Sequence, residues 1–206
     1  VRTATGRARA REALNLPEDA IVIGAVGRLA YQKAPEDFVA ALHRIRRPNI
    51  VGLWIGGGTP PAVDHAPDGE TRVRFVGDRP NVPDLLPALD IFALPSRYEG
   101  LPLAIVEAMV CGVPVVATAV NAVPDVVVPG ETGLLVPPGR PDRFAAAIEY
   151  LLDHPATAER FALTARRKIA GRHDENSLAA SLCEAYSGRT PGSALITRSV
   201  RVTGST

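Results

Sequence analysis

Apolar residues fall along this chain in short blocks. Ile21–Val26, Ile50–Ile55, Val73–Val76, Ile91–Leu94, Val113–Ala117 and Leu134–Val136 are nearly continuous apolar runs. They are too apolar for strands with one face in water and predict strands buried on both faces, the habit of a parallel sheet. Between them Glu36–Arg46, Val82–Ala88, Leu103–Cys111 and Pro124–Val127 carry helical spacing. Strand and helix therefore alternate as in a doubly wound, mostly parallel α/β sheet with right-handed crossovers. After the last strand the pattern is helical throughout, over Pro141–Asp153, Pro155–Ala170 and Asp174–Tyr186, each opening on a proline or a capping residue. One crossover is irregular: prolines and glycines crowd positions 57–70, which should shorten or abolish a helix and leave that sheet edge poorly covered. Three segments result: a linker-like stretch 1–20, a domain over 21–186, and a Ser, Thr and Gly-rich tail 187–206 expected to be disordered.

Composition narrows the partners. The chain has 206 residues, 46% of them apolar, which suits one domain with a sizeable core. Lys plus Arg number 23 against 22 Asp plus Glu, and a net charge of +1 gives no support for a nucleic-acid or membrane partner. No apolar run approaches the roughly 18 residues of a membrane span. The Arg-rich start at Arg2, Arg7, Arg9 and Arg11 lacks a signal peptide's apolar stretch, so a cytoplasmic location is the default expectation. Cys111 and Cys183 lie far apart without metal-ligand spacing and read as reduced core thiols.

The candidate chemistry centres on Glu99 and Glu107, two carboxylates around the start of an otherwise apolar helix. A helix apolar on all sides should be buried, and a buried charge needs a partner, so Glu107 is a candidate ligand-binding group. Pro102 suits the first helical position, and Glu99 lies just ahead of it, where unsatisfied helical amides can receive an anion. Simpler readings stay open. Glu99 could be a loop carboxylate favoured by the helix dipole, worth about 0.3–1 kcal/mol. Glu107 could be the structural ion-pair partner of an arginine.

The first strand ends at Val26-Gly27-Arg28, with Lys33 five residues on. Ligands of open parallel sheets sit beyond the carboxyl ends of the strands, so Arg28 and Lys33 are placed to neutralise a diphosphate unless they are merely solvated loop charges. Gly24-Ala-Val-Gly27 falls short of the dinucleotide fingerprint, which argues against a nicotinamide or flavin enzyme. Gly56-Gly57-Gly58 lacks the Lys-Ser/Thr of a P-loop and reads as a turn that lets a ligand approach. His43, His65, His154 and His173 share no ligand spacing, and no metal site is expected.

Together, Val26-Gly27-Arg28-Leu29 with Lys33, Asp90-Ile-Phe-Ala-Leu-Pro-Ser96, Glu99-Gly-Leu-Pro, Glu107-Ala-Met, Gly112-Val-Pro-Val-Val and Gly133-Leu-Leu-Val-Pro-Pro-Gly139 form one ordered pattern. From about Ile21 to Tyr186 the chain resembles the donor-binding, C-terminal half of the retaining glycosyltransferases of family 4, the glycosyl transferases group 1. The resemblance implies one Rossmann-like half of a GT-B fold, holding a UDP- or GDP-sugar, with an N-terminal acceptor-binding domain missing from this chain. It implies that Arg28 and Lys33 bind the donor diphosphate, with backbone amides around Gly100, Leu101 and Leu103 completing the phosphate cradle. By the same likeness Glu107 holds the ribose, and Glu99 binds the donor sugar and is the catalytic carboxylate. Gly77 and Arg79 lie near the base. No cofactor and no metal are implied, since cations and a helix N-terminus take the leaving diphosphate's charge.

Some positions depart from the family's pattern. Asn121-Ala122-Val123-Pro124-Asp125 stands where a glycine pair and Glu are usual, and Ala34 replaces the glycine after the lysine. The expected function is retaining hexosyl transfer to an acceptor, with this chain incomplete and inactive alone and with a location peripheral at the membrane open to the full-length protein. The rival is a nucleotide-sugar-binding module or truncated remnant without catalysis. The donor sugar, base, acceptor and oligomeric state are not legible.

Overall fold

The computed structural model describes residues 3–61 and 73–172. Strands β1 (Ile21–Val26), β2 (Ile50–Ile55), β3 (Val73–Phe75), β4 (Ile91–Leu94), β5 (Val115–Thr118) and β6 (Leu134–Val136) form one six-stranded sheet in the order β3-β2-β1-β4-β5-β6. Every neighbouring pair is parallel, with Ile21 level with Ile50 and Phe92 level with Val115. The strand order reverses between β1 and β4, the kind of switch point at whose carboxyl end ligands of doubly wound sheets bind.

The helices are α1 (Ala4–Ala13), α2 (Pro35–Leu42), α3 (Val82–Leu85), α4 (Leu103–Cys111), α5 (Val123–Val126), α6 (Pro141–Asp153) and α7 (Pro155–Arg172). The described residues up to Ile169 form one packed unit, and those beyond it complete α7. The central strands β4 and β5 are buried along their whole length, whereas the edge strands β3 and β6 are partly open. Trp54, Phe38, Phe92, Ile23 and Leu53 are among the largest fully buried side chains, each worth roughly 1.5–3 kcal/mol against exposure. Gly24 makes room for this core, since a Cβ there would lie 2.3 Å from Leu89 Cδ2.

Boundaries differ from the sequence pattern where a proline or a cap intervenes. The helix expected over Glu36–Arg46 winds as α2 only to Leu42; Arg44 and Ile45 then donate to carbonyls three residues back, ahead of Pro48. The strand expected from Val113 starts at Val115, because the Val113 N–H caps α4 at Ala108 O and Pro114 has none to give. Val82–Ala88 divides into α3 and a 3₁₀ turn over Leu86–Ala88. The helix expected over Asp174–Tyr186, the tail 187–206 and most of the Pro-rich crossover lie outside the described residues.

The linker-like stretch 1–20 contains α1, which the apolar pattern did not predict. Thr3 caps it by accepting the Gly6 N–H at 3.0 Å. Arg7 and Arg11, one turn apart, both reach Asp90 at the start of β4, at 2.7 and 3.0 Å. Asp90 Oδ2 also accepts the Val22 N–H, and Arg11 donates to Pro17 O, Glu18 O and Ala20 O. Burial, with Arg7 adding to it, pushes the Arg11 guanidinium below its usual pKa, while Asp90 opposes the shift. Burial likewise pushes the Cys111 thiol up and leaves it a core group rather than a reactive thiolate.

Candidate functional site

β1 continues its ladder one residue past Val26, where the Gly27 N–H donates to Ile55 O at 2.9 Å. Gly27 O accepts the buried Trp54 indole N–H at 2.7 Å, and the chain then turns through Arg28. The glycine triplet explains how closely these loops approach. A Cβ on Gly56, at φ +144°, would sit 2.1 Å from Gly27 O, and one on Gly58 would sit 2.8 Å from Leu29 Cβ. The Leu29 N–H donates to Gly57 O, and the Gly57 N–H to Asp78 Oδ1, both at 2.7 Å. The space that these glycines leave free of side chains is taken up by the Gly27–Leu29 segment and the Asp78 carboxylate.

After Arg28 a 3₁₀ turn, Tyr31–Lys33, leads to Ala34 in the left-handed region, φ +51°. Pro35 opens α2, with Glu36 and Asp37 in its positive first turn. This turn carries Lys33 across to the loop after β4. Lys33 Nζ lies 2.6 Å from Glu99 Oε1, and Glu99 is 3% exposed. Ser96 Oγ donates to the same oxygen at 2.6 Å, and Ser96 O accepts the Thr118 hydroxyl at 2.5 Å. The Glu99 N–H donates to Asn121 Oδ1 at 3.3 Å, and Asn121 itself has φ +41°. A carboxylate so held is an oriented acceptor with a cation beside it, suited to polar, hydroxyl-bearing or anionic ligands.

The other predicted residues are placed as follows. Arg28 is exposed on the loop after β1. Gly100 and Leu101 are exposed ahead of α4; Pro102 stands one residue before the helix rather than in it, and the Leu103 N–H is engaged with Leu101 O at 2.9 Å. Glu107 is on α4 and 2% exposed. Gly77 O accepts the Gly56 N–H at 2.9 Å, so Gly77 lies beside the loop after β2, with Arg79 exposed two residues on. The structure thus brings Lys33 and Glu99 into contact and sets Arg28 and Gly77 on adjoining loops at the carboxyl edge of the sheet. Sequence reasoning named neither Ser96 nor Thr118 as site residues, and their small, buried hydroxyls gave no periodic signal. Among the described residues no cluster of three or more His, Cys, Asp or Glu is gathered to hold a metal ion.

A groove of about 730 Å³ opens elsewhere, at the amino ends of the strands, lined by Ile21, Ile91, Pro114, Leu151 and Leu163 among others. Ligands of doubly wound sheets bind at the opposite, carboxyl edge, where the charged pair lies.

The sequence profile of the glycosyl transferases group 1 matches residues 20–154. Glycogen synthase from Mycobacterium tuberculosis is 34% identical over 169 residues, covering 78% of this chain and 41% of that protein. HepE from Anabaena, solved in complex with UDP-glucose, is 26% identical with a TM-score of 0.74, covering 90% of this chain and 53% of that one. The C-terminal domain of a glycosyl transferase group 1 family protein (LpcC) from Francisella tularensis, 24% identical with a TM-score of 0.68, shares the fold over 81% of this chain and 91% of that one. The chain spans about two fifths of the length of the curated relative and about half that of HepE. The profile runs from the residue before β1 to the end of α6 and takes in every strand and both loops that meet at Glu99, and the chain belongs to the glycosyl transferases group 1 family.

Proposed function

We propose that this chain is the donor-binding, C-terminal half of a retaining GT-B glycosyltransferase of family 4, holding a UDP- or GDP-hexose for transfer to an acceptor. The carrying observation is the Lys33–Glu99 pair at the β1/β4 switch point, 2.6 Å apart and braced by Ser96. Its place accords with a sugar nucleotide lying along the carboxyl edge of the sheet. Arg28 and Lys33 meet the diphosphate together with the exposed backbone at Gly100 and Leu101, the Leu103 N–H being engaged with Leu101 O. Glu99 accepts from hydroxyls of the sugar, Glu107 from those of the ribose, and the base lies towards Gly77 and Arg79. Two cations and a helix N-terminus supply the countercharge, so binding needs no metal. The UDP-glucose bound by HepE supports a nucleotide-sugar donor, and the match to most of an isolated C-terminal domain supports assignment to that half. Transfer requires an acceptor-binding half to close over the donor and exclude water, so this chain alone binds but does not turn over efficiently.

Calorimetry with UDP, GDP and UDP-glucose, each with and without a chelator, tests this reading. Binding should survive chelation, at micromolar affinity or weaker, a binding free energy of about −8 kcal/mol or less negative. Lys33→Ala should cost roughly 1.5–3 kcal/mol for every nucleotide, with Lys168→Ala as the silent control. Glu99→Gln should weaken UDP-glucose but not UDP, whereas Glu107→Gln should weaken both. Equal affinity of all four variants for all ligands rejects the site.

A further inference from the structure

Arg97 stands between the turn that carries Lys33 and the loop that carries Glu99. Its backbone N–H donates to Gln32 O at 2.8 Å and its guanidinium to Tyr31 O at 2.7 Å, so one residue holds two successive carbonyls of the turn. The guanidinium carbon lies 4.3 Å from the centre of the Tyr31 ring. Arg97 Nη2 is 2.7 Å from Glu36 Oε1 and 3.7 Å from Asp37 Oδ2, both in the first turn of α2. Gln32 Nε2 returns the contact by donating to Tyr98 O at 3.1 Å. All of these contacts join residues 31–37 to residues 97–98, the segments that flank Lys33 and Glu99.

Within the turn the Lys33 N–H donates to Ala30 O and the Ala34 N–H to Tyr31 O. The turn has no side-chain cap and ends at Ala34 in a conformation that alanine disfavours. A lysine stem carries about 2 kcal/mol of rotamer entropy, so its ammonium keeps a short ion pair only where the two backbones are held at a set distance. The Arg97 side chain can hold them so, because a planar fork bonds, stacks and pairs at once.

We propose that Arg97 is a positioning residue which clamps the Tyr31–Lys33 turn to the 96–99 loop and so fixes the Lys33 ammonium against Glu99, poised for the diphosphate. The last clause rests on the donor reading above; the clamp itself does not.

The full chain contains two lysines, so acetylation by an N-hydroxysuccinimide ester, read by peptide mass spectrometry, reports on Lys33 with Lys168 as internal reference. The Lys33 side chain is 18% exposed within its pair and that of Lys168 42%. In Arg97→Ala the ratio of Lys33 to Lys168 acetylation should rise about tenfold, the factor that ~1.4 kcal/mol represents. Circular dichroism and thermal melting verify that the variant is folded; Arg97→Gln, nearer in size, is measured in the same way and decides if Arg97→Ala does not fold. An unchanged ratio in a folded variant overturns the clamp. UDP calorimetry on the same samples should show about a tenfold loss of affinity. A raised ratio with UDP affinity intact overturns the link to the diphosphate. Wild-type protein that binds no UDP rejects the donor reading and leaves the clamp to be decided by acetylation alone.

Discussion

Ala34 sets identity against conformation. It caps the Lys33 turn at φ +51°, ψ +55°, and is fully buried. The left-handed region costs an L-residue with a Cβ roughly 1–2 kcal/mol, a penalty glycine escapes. Glycine also gains entropy in the unfolded chain, which returns part of that difference. Ala34→Gly should therefore stabilise the protein by about 0.5–1 kcal/mol, read as a higher urea midpoint at constant slope. Asn121, also left-handed, is a residue that tolerates this region better, and its side chain serves the Glu99 N–H there.

At the scale of elements, α1 is fastened to the sheet by charge more than by apolar area. Its buried residues are Ala10 and Arg11, and two of its three arginines, Arg7 and Arg11, converge on Asp90. Replacing Asp90 by Asn removes the charge that faces a buried guanidinium and weakens the acceptor of the Val22 N–H, while leaving the side-chain size unchanged. Breaking a fully buried pair costs about 3–5 kcal/mol. Asp90 is partly solvated, so Asp90→Asn should cost nearer 2 kcal/mol, the scale of one charged hydrogen bond. Stability should fall by that amount in denaturant, and trypsin should cut faster at Arg7 and Arg11 as α1 loosens. The same arginines explain why this helix is not legible in the sequence: helical periodicity shows itself in apolar residues, and here the inward face is carried by guanidinium groups with long apolar stems.

Over the whole molecule, the loops after β1, β2 and β3 are packed backbone to backbone, with glycine at each contact. Gly56 has the least room, since a Cβ would overlap Gly27 O and the φ of +144° strains any side chain. Gly56→Ala should cost about 3 kcal/mol through the combined strain and clash. It should also displace the Gly27–Arg28 loop, so under the donor reading UDP affinity falls in the variant even where it remains folded. Chemical denaturation followed by calorimetry below the unfolding midpoint separates the two effects.

The sequence by itself determined the elements other than α1, and the family. Continuous apolar runs fixed β1, β2, β4 and β6 at their observed ends, and the spacing of Leu103–Cys111 gave α4 residue for residue, because burial on both faces of a strand or all around a helix is a local property written in local composition. It singled out Lys33, Glu99 and Glu107 as residue types out of keeping with their surroundings. Which loop meets which was decided by the tertiary structure alone. The Lys33–Glu99 pair spans 66 positions, the clamp through Arg97 the same distance, and Arg7 meets Asp90 across 83. Such contacts exist only once six strands have taken the order β3-β2-β1-β4-β5-β6, because closing loops of that length is an entropic cost met by the whole core and not by the residues that touch. The glycine triplet shows the limit most plainly: its freedom was legible, but that the Gly27–Leu29 segment packs against it could be seen only with both loops in place.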